Sequence, residues 1–315
     1  MHITARPYAG LADLHALQRT ITASWLLARP FVNMTVGDVT WWMTVSPLEV
    51  DWTTRIRLWE ADGDVVAWGG FQPPGEFLFH LRADLPAAPR HAVVAELVEW
   101  LTKKVASHTT PPGEGAPAEA PSHLTTDVLD TDHGLQEELR SLGFTPADEP
   151  SYSHFIAPLD ESPAAPVLPP GYTIRHVRGE DEIPARVSVH RAAFAPSRMT
   201  VEKYQRFVAT NLYAFERDLV VEAPDGSFAA FTMVFWDPVA RIGEFEPVGT
   251  HPDHRQKGLA KAVNLAGLHL LRRLGALEAL VFSRPTNAAS EALYTSAGFR
   301  RVTVHRAWTR PLQAR

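Results

Sequence analysis

Two hydrophobic periods alternate along the chain. Short apolar runs with a period of two, such as Leu58-Trp-Glu-Ala-Asp-Gly63, reach an Asp-Gly turn and restart as Val65–Phe71. That pattern predicts a β-hairpin. Val220-Val-Glu-Ala-Pro-Asp-Gly226 followed by Phe228–Trp236 predicts another. Longer runs carry apolar residues at helical spacing: Val93, Val94, Leu97, Trp100 and Leu101 in one, and Leu259, Val263, Ala266, Leu270 and Leu274 in the other.

Taken in order, the first half predicts strand Ile3–Pro7, a helix from Asp13 toward Trp25 and a helix around Val36–Thr44. Hairpin strands Arg55–Glu60 and Val65–Phe71 come next, then strand Glu76–Arg82 and helix Arg90–Val105. Strand Leu124–Leu129, helix Gly134–Leu142 and strand Tyr152–Ile156 close it. The second half predicts strand Thr173–Val177, a helix through Ala192 and a helix capped by Thr200. Strands Leu219–Glu222, Phe228–Trp236 and Glu244–Thr250 precede the long helix, with Gly275 at its C-terminal cap. Strand Leu277–Phe282, helix Ala288–Ala297 and strand Arg301–Trp308 end the chain. Antiparallel hairpins leading into a strand–helix–strand crossover imply an α/β fold, a mixed α+β sheet with helices on both faces.

The halves resemble each other. Ile3-Thr-Ala-Arg6 is echoed by Tyr172-Thr-Ile-Arg175, the two hairpins correspond, and Leu139-Arg-Ser-Leu-Gly-Phe144 is echoed by Tyr294-Thr-Ser-Ala-Gly-Phe299. Three matches in one order indicate a duplication. The Pro-rich segment Leu159–Gly171 reads as a linker, giving domains at 1–158 and 172–315. A flexible insertion at about 107–122, centred on Thr109–Ala120, interrupts the first. The tryptophans at 25, 41, 42, 52, 59 and 68 read as core and inter-domain packing.

A length of 315 residues suits two domains, and a net charge of −6 argues against a general nucleic-acid binder. With no cysteine, disulfides, thiolate metal sites and a cysteine nucleophile are excluded. The N-terminal stretch lacks the layout of a signal peptide, and no apolar run approaches the ~20 residues of a membrane span. A cytoplasmic protein, with no membrane or nucleic-acid partner, is the expectation.

One stretch carries concentrated chemistry: His251-Pro-Asp-His-Arg-Gln-Lys-Gly-Leu-Ala-Lys261, between a strand and a helix. First-turn N–H groups there lack intrahelical partners and the helix dipole is positive, so the loop is suited to an anion. Arg255 and Lys257 add positive charge, and Gly258 lets the backbone approach a pyrophosphate. A nucleotidase P-loop is excluded because Leu-Ala follows Gly258, and no dinucleotide fingerprint is present. His251 and His254 lack further ligands at metal spacing, so no metal is expected.

Val248-Gly-Thr-His-Pro-Asp-His-Arg-Gln-Lys-Gly-Leu-Ala260 resembles the acyl-CoA-binding motif of the GCN5-related N-acetyltransferases. Arg255, Gly258 and Ala260 satisfy its core, and Asn287, Tyr294, Gly298 and Phe299 match the family's second signature. The resemblance implies two tandem acetyltransferase-like domains using acetyl-CoA, without a metal. It implies cofactor contacts from Val248, Gly249 and Thr250, whose strand edge pairs with the pantetheine arm, and from Arg255, Gln256, Lys257, Gly258, Leu259, Ala260, Lys261 and Asn287. Tyr294 matches the tyrosine that donates a proton to the departing CoA sulfur.

An amine of pKa near 10 is mostly protonated at pH 7, so a base is useful. Glu244 and Glu246 lie on the strand feeding the loop, on one face unless a bulge intervenes, and the sequence leaves open which is the base. The first half departs from the pattern. Leu81-Arg-Ala-Asp-Leu-Pro-Ala-Ala-Pro-Arg90 replaces the loop, Leu139 stands at the place of Tyr294, and Asp132 at that of Asn287. It resembles a degenerate acetyltransferase domain, an organisation similar to that of mycothiol synthase. The expected reaction is acetyl transfer from acetyl-CoA to a primary amine of a small molecule in a ternary complex. A non-catalytic acyl-CoA sensor or scaffold, and a protein-amine acetyltransferase, are the alternatives. A monomer with internal pseudo-dimer symmetry is expected, with a homodimer second.

Overall fold

The computed structural model describes residues 1–47, 50–107 and 123–312. Residues 108–122, which hold nearly all of the expected insertion, lie outside the described residues. The chain forms two compact units: Met1–Asn33, Glu49–Ser153 and Thr303–Arg315 in the first, Met34–Leu48 and His154–Val302 in the second. These are not the sequence halves, because two short segments each belong to the unit built mostly from the other half.

The first half supplies β1 (Thr4–Pro7), α1 (Leu11–Ala28), α2 (Val36–Val45), α3 (Trp52–Arg55), β2 (Ile56–Ala61), β3 (Asp64–Gln72) and β4 (Glu76–Leu81). It continues with α4 (Ala87–Ser107), β5 (His123–Leu129), α5 (His133–Ser141) and β6 (Thr145–Pro158). The second half supplies β7 (Thr173–His176), α6 (Ile183–Ala193), α7 (Val201–Val208), β8 (Asp218–Glu222), β9 (Phe228–Asp237) and β10 (Ile242–Thr250). Then come α8 (Leu259–Leu274), β11 (Glu278–Ser283), α9 (Ala288–Ser296) and β12 (Arg300–Pro311). Among the described residues the hydrophobic pattern misses the one-turn α3, held by the Asp51 cap, and the 3-10 turns Glu180–Glu182, Phe215–Arg217 and Pro252–His254, all too short to show a period.

In the first unit the sheet runs β1-β2-β3-β4-β5, and β12 closes it antiparallel to β5, from His305 opposite Leu129 to Pro311 opposite His123. The apolar stripe of α4 (Val93, Val94, Leu97, Leu101) packs on Trp59, Ala67, Phe77 and Phe79. Trp25, Trp59 and Trp68 are buried there. Burial of large aromatic surface of this kind is the main favourable term in folding.

In the second unit the order is β7-β8-β9-β10-β11, continued by the end of β6. Val234, Phe245, Leu265, Leu268, Leu271 and Val281 form its core with Phe155 from β6. The segment Leu159–Gly171 has no helix or strand, yet Leu159 is buried and its N–H donates to Leu277 O (2.9 Å).

The duplication reappears in polar detail. In the first unit Arg6 bridges Asp13 and Glu60 at 2.7 Å each; in the second Arg175 bridges Glu182 (2.8 Å) and Glu222 (2.6 Å). The register agrees, with Thr4 opposite Glu60 and Thr173 opposite Glu222. The core beneath has diverged. Arg186 and Asp218, fully buried in the second unit with Nε–Oδ1 at 2.8 Å, correspond along the repeat to Leu17 and Ile56 in the first.

Helix α2 comes from the first half but belongs to the second unit. Thr35 and Asp38 form its capping box, which fixes where it starts. Trp41 packs edge-on against Phe207 (5.1 Å) and Tyr204 (6.5 Å), and tilted to Phe235 (6.4 Å). Gly37 sits so close to Phe235 that a Cβ would lie 1.9 Å from its ring. Any larger residue at 37 would push α2 off the sheet.

Candidate active site

Strands β10 and β11 are parallel and pair only from Ile242–Glu278 to Glu244–Leu280. Beyond Glu244 they diverge, while β10 stays paired with β9 as far as Thr250 opposite Ala230. The register of β10 on β9 shifts between Phe245 and Val248. Such a bulge re-aims side chains and frees backbone groups. The result is a cleft with one open strand edge, formed by Glu246, Pro247, Val248, Gly249 and Thr250.

The loop after β10 delivers the expected anion cradle. Gly258 is at φ +75°, Gln256 at φ +60°, and α8 begins at Leu259 with no side-chain cap on its N–H groups. A left-handed backbone at two positions in three turns successive N–H groups toward one side, as in an anion nest. Space is not what selects glycine at 258, since a Cβ there meets nothing within 4 Å; the backbone conformation is. Arg255, Gln256, Lys257 and Lys261 are exposed, Ala260 is partly buried, and Leu259 points into the core. Lys257 Nζ rests on Tyr172 Oη (3.1 Å) and Arg255 reaches Ala193 O (3.3 Å). At Gly249 a Cβ would lie 2.5 Å from the Phe231 ring, so that glycine serves packing as well.

Asn287 caps α9, its Oδ1 accepting from Ser290 N (3.2 Å), which leaves the exposed amide Nδ2 as a donor. Two turns on, Tyr294 is only 6% exposed, wedged between Phe155 (6.1 Å) and Phe299 (5.8 Å). No hydrogen bond to its hydroxyl is found among the described residues. Burial and the charge of Glu246 raise its pKa well above the usual phenol range, so the proton stays on at neutral pH.

The bulge separates the two glutamates. Glu244 lies in regular register opposite Phe235 and is buried; Glu246 lies within the bulge and is partly buried. Glu244 Oε2 accepts a hydrogen bond from Thr35 Oγ1, and the carboxyls of Glu244 and Asp38 hydrogen-bond each other. Two carboxyls in contact require a shared proton. Burial first, then the Asp38 charge, push Glu244 far above the carboxylate range, whereas burial moves Asp38 to about 6. Burial and the Asp38 charge move Glu246 to about 7. At pH 7 the pair is held near one negative charge, and Glu246 is poised to take or release a proton.

Thr35 and Asp38 were not legible as site residues. Their Thr-x-x-Asp spacing marks a helix start, but nothing in it says which unit the helix joins. Among the described residues no group of three His, Cys, Asp or Glu is arranged to hold a metal. No helix among them is long and apolar enough to cross a membrane.

The first unit repeats the cleft without the cradle. Strands β4 and β5 pair only at Glu76–Thr125 before diverging around a cavity of about 250 Å³. There α4 starts behind Pro86 with Pro89 in its first turn, Arg82 is paired with Asp84 (2.6 Å), and Asp132 caps α5. Leu139, at the place of Tyr294, is fully buried.

Residues 188–299 match the model of the acetyltransferase (GNAT) family. A mycothiol acetyltransferase of Sanguibacter keddieii is 30% identical over 49% of this chain and 51% of its own. One from Salinispora tropica is 28% identical over 71% of this chain and 83% of its own. In the first relatives the matched stretch spans about half of their length. Among solved structures, a tandem GNAT protein from the clavulanic acid biosynthesis pathway superposes with a TM-score of 0.69 at 14% identity, covering 100% of both chains. A GCN5-related N-acetyltransferase from Sphaerobacter thermophilus gives 0.64 at 18% identity, over 99% and 96%. The fold is therefore that of tandem GNAT-like acetyltransferase domains.

Proposed function

We propose that this chain, a tandem-domain protein of the GNAT superfamily type, transfers an acetyl group from acetyl-CoA to the amine of a small molecule. The observation that carries the reading is the buried Tyr294, whose hydroxyl has no hydrogen-bond partner among the described residues, within the field of Glu246 and beside a diverged strand edge. The N–H groups of the Gly258 turn and of the first turn of α8 suit the pyrophosphate, and Asn287 Nδ2 suits the pantetheine arm. Those of β10 beyond Glu244 that point away from β9 can hold the thioester carbonyl as it becomes an oxyanion.

The attacking nitrogen gives its proton to Glu246 and forms the C–N bond. The C–S bond then breaks, and the thiolate takes the Tyr294 proton. Of the two glutamates, Glu246 is the base: burial and the Asp38 charge keep the proton on Glu244, against the opposing hydrogen bond from Thr35, and it has no capacity to accept another at neutral pH. No step passes through the first unit, whose cleft lacks the cradle amides and the tyrosine.

The test is CoA release with a panel of small amines. Tyr294→Phe is expected to lower kcat by about 10- to 100-fold while leaving acetyl-CoA affinity unchanged. Tight binding of acetyl-CoA with no turnover on any amine, thiol or alcohol would sink the reading. Gly258→Ala is expected to lose about 1 kcal/mol of stability and to weaken CoA binding roughly fivefold, because alanine resists a positive φ. Calorimetry with CoA and thermal denaturation check it; unchanged affinity would mean the cradle lies elsewhere.

A further inference from the structure

Asp38, Glu244 and Glu246 converge with no lysine, arginine or histidine in ion-pair contact among the described residues. Asp38 is hydrogen-bonded to Thr35 and Glu244 but faces no cation, whereas the buried Asp218 has Arg186 as well as two tyrosines. Burying charge without a counter-ion is costly unless a ligand supplies one. Tyr294, more than nine-tenths buried and with a free hydroxyl, independently marks where substrate atoms fit, and Glu246 acts on it electrostatically.

The wall beside the carboxylates is aromatic. Phe235 is the direct cross-strand neighbour of Glu244, so the two side chains share a face. Trp41 lies one turn after Asp38 on α2 and packs on Phe235 and Phe207. Carboxylates framed by aromatic faces attract ammonium groups by charge and by cation–π contact.

Resting on the acetyltransferase reading, we infer that the acceptor is a short diamine, or a compact amine with a second ammonium group, and that Asp38 with Glu244 holds the ammonium that does not react. One amine engages Glu246 and is acetylated; the other stays protonated against the Asp38–Glu244 pair, which carries the second negative charge. Glu244 and Glu246 are two residues apart on β10, at most about 7 Å along the strand because the bulge at Glu246 shortens it, which suits three to five carbons between the nitrogens. The product is the mono-acetylated diamine, with the proton of the attacking nitrogen on Glu246. Asp38 is then a specificity residue supplied to the catalytic unit by the first half of the chain.

The experiment compares 1,4-diaminobutane and 1,5-diaminopentane with butylamine and pentylamine as acceptors, by CoA release. A preference of at least about 30-fold in kcat/KM for the diamines, expressed mainly in KM, is expected from one added charge-assisted contact. Asp38→Asn, which keeps the cap on Thr35, should remove about tenfold of that preference, read as the ratio of kcat/KM for 1,4-diaminobutane to that for butylamine at a pH where Glu246 is ionised in both proteins, so that any change in the base cancels. Equal use of mono- and diamines, or equal loss on both with Asp38→Asn, overturns the inference while the transferase reading stands. Calorimetric titration of 1,4-diaminobutane into the protein with CoA present reads binding without turnover. If no amine is turned over, diamine binding no tighter than that of butylamine overturns the inference as well.

Discussion

Glu246→Gln will lower kcat for an amine acceptor by about 10²- to 10⁴-fold, the range for loss of a positioned general base. In the native protein kcat should rise with pH to a plateau, with its midpoint near 7, because Glu246 must be ionised to accept the proton. The variant has no such plateau. Its residual rate should follow the fraction of neutral amine and climb steadily toward pH 10. Glu244→Gln, by contrast, replaces a carboxyl that is already protonated and should keep the limb near 7. A limb that vanished with Glu244→Gln and survived Glu246→Gln would reverse the assignment of the base.

The same carboxyl has a cost in stability whose sign can be worked out. Burial raises Glu246 from the usual 4.5 to about 7, so the folded chain binds its proton more tightly than the unfolded chain does. Its favourable contribution is complete below about pH 4.5 and is lost as pH rises through 7. Glu246→Gln should therefore be more stable than the native chain at pH 8, by roughly 1–2 kcal/mol, and should lose that advantage at pH 4.5. Slower chemistry together with a more stable fold is the expected signature of a residue placed for catalysis.

The second large effect is structural. Asp218→Asn should destabilise the protein by about 3–5 kcal/mol, measured by urea denaturation, because it strands the Arg186 charge in the core. Arg186 is 0% exposed, lies 3.9 Å over the Phe231 ring, and its two terminal nitrogens have no hydrogen-bond partner. Asp218 also accepts from Tyr204 and Tyr213, so three groups lose a charged partner together. The first unit indicates the rescue. There Leu17 and Ile56 fill the corresponding places, so the double change Arg186→Leu with Asp218→Ile should cost less than Asp218→Asn alone. A double variant worse than the single one would show that the ion pair is not separable from its tyrosines.

Much of this was legible from residue order. Hairpin turns, helical stripes and caps are local signals, and they located nearly every element within a few residues of its observed bounds. The repeat was legible because Arg6 and Arg175 stand at corresponding places, and the paired ion networks show why both copies keep them. The cradle at Gly258 was legible because a left-handed turn before a helix needs a glycine. The two glutamates were visible as a pair but not distinguishable, since alternation along a strand says nothing about where a bulge falls.

What the sequence by itself determined is therefore local and periodic: the order of strands and helices, the duplication, the loss of the cradle in the first copy, and the presence of Tyr294 two turns after Asn287. Tertiary structure alone decided which segments join which unit. Helix α2 leaves the half that encodes it because its aromatic face, Trp41 foremost, has its partners on α7 and β9. Strand β12 joins the first unit because β5 offers it a complete ladder. Through α2, Thr35 and Asp38 reach Glu244; burial and the Asp38 charge keep its proton in place and leave Glu246 as the group that titrates near 7. Such a division of labour follows from burial and from charges brought together across two hundred residues, and no local pattern encodes either.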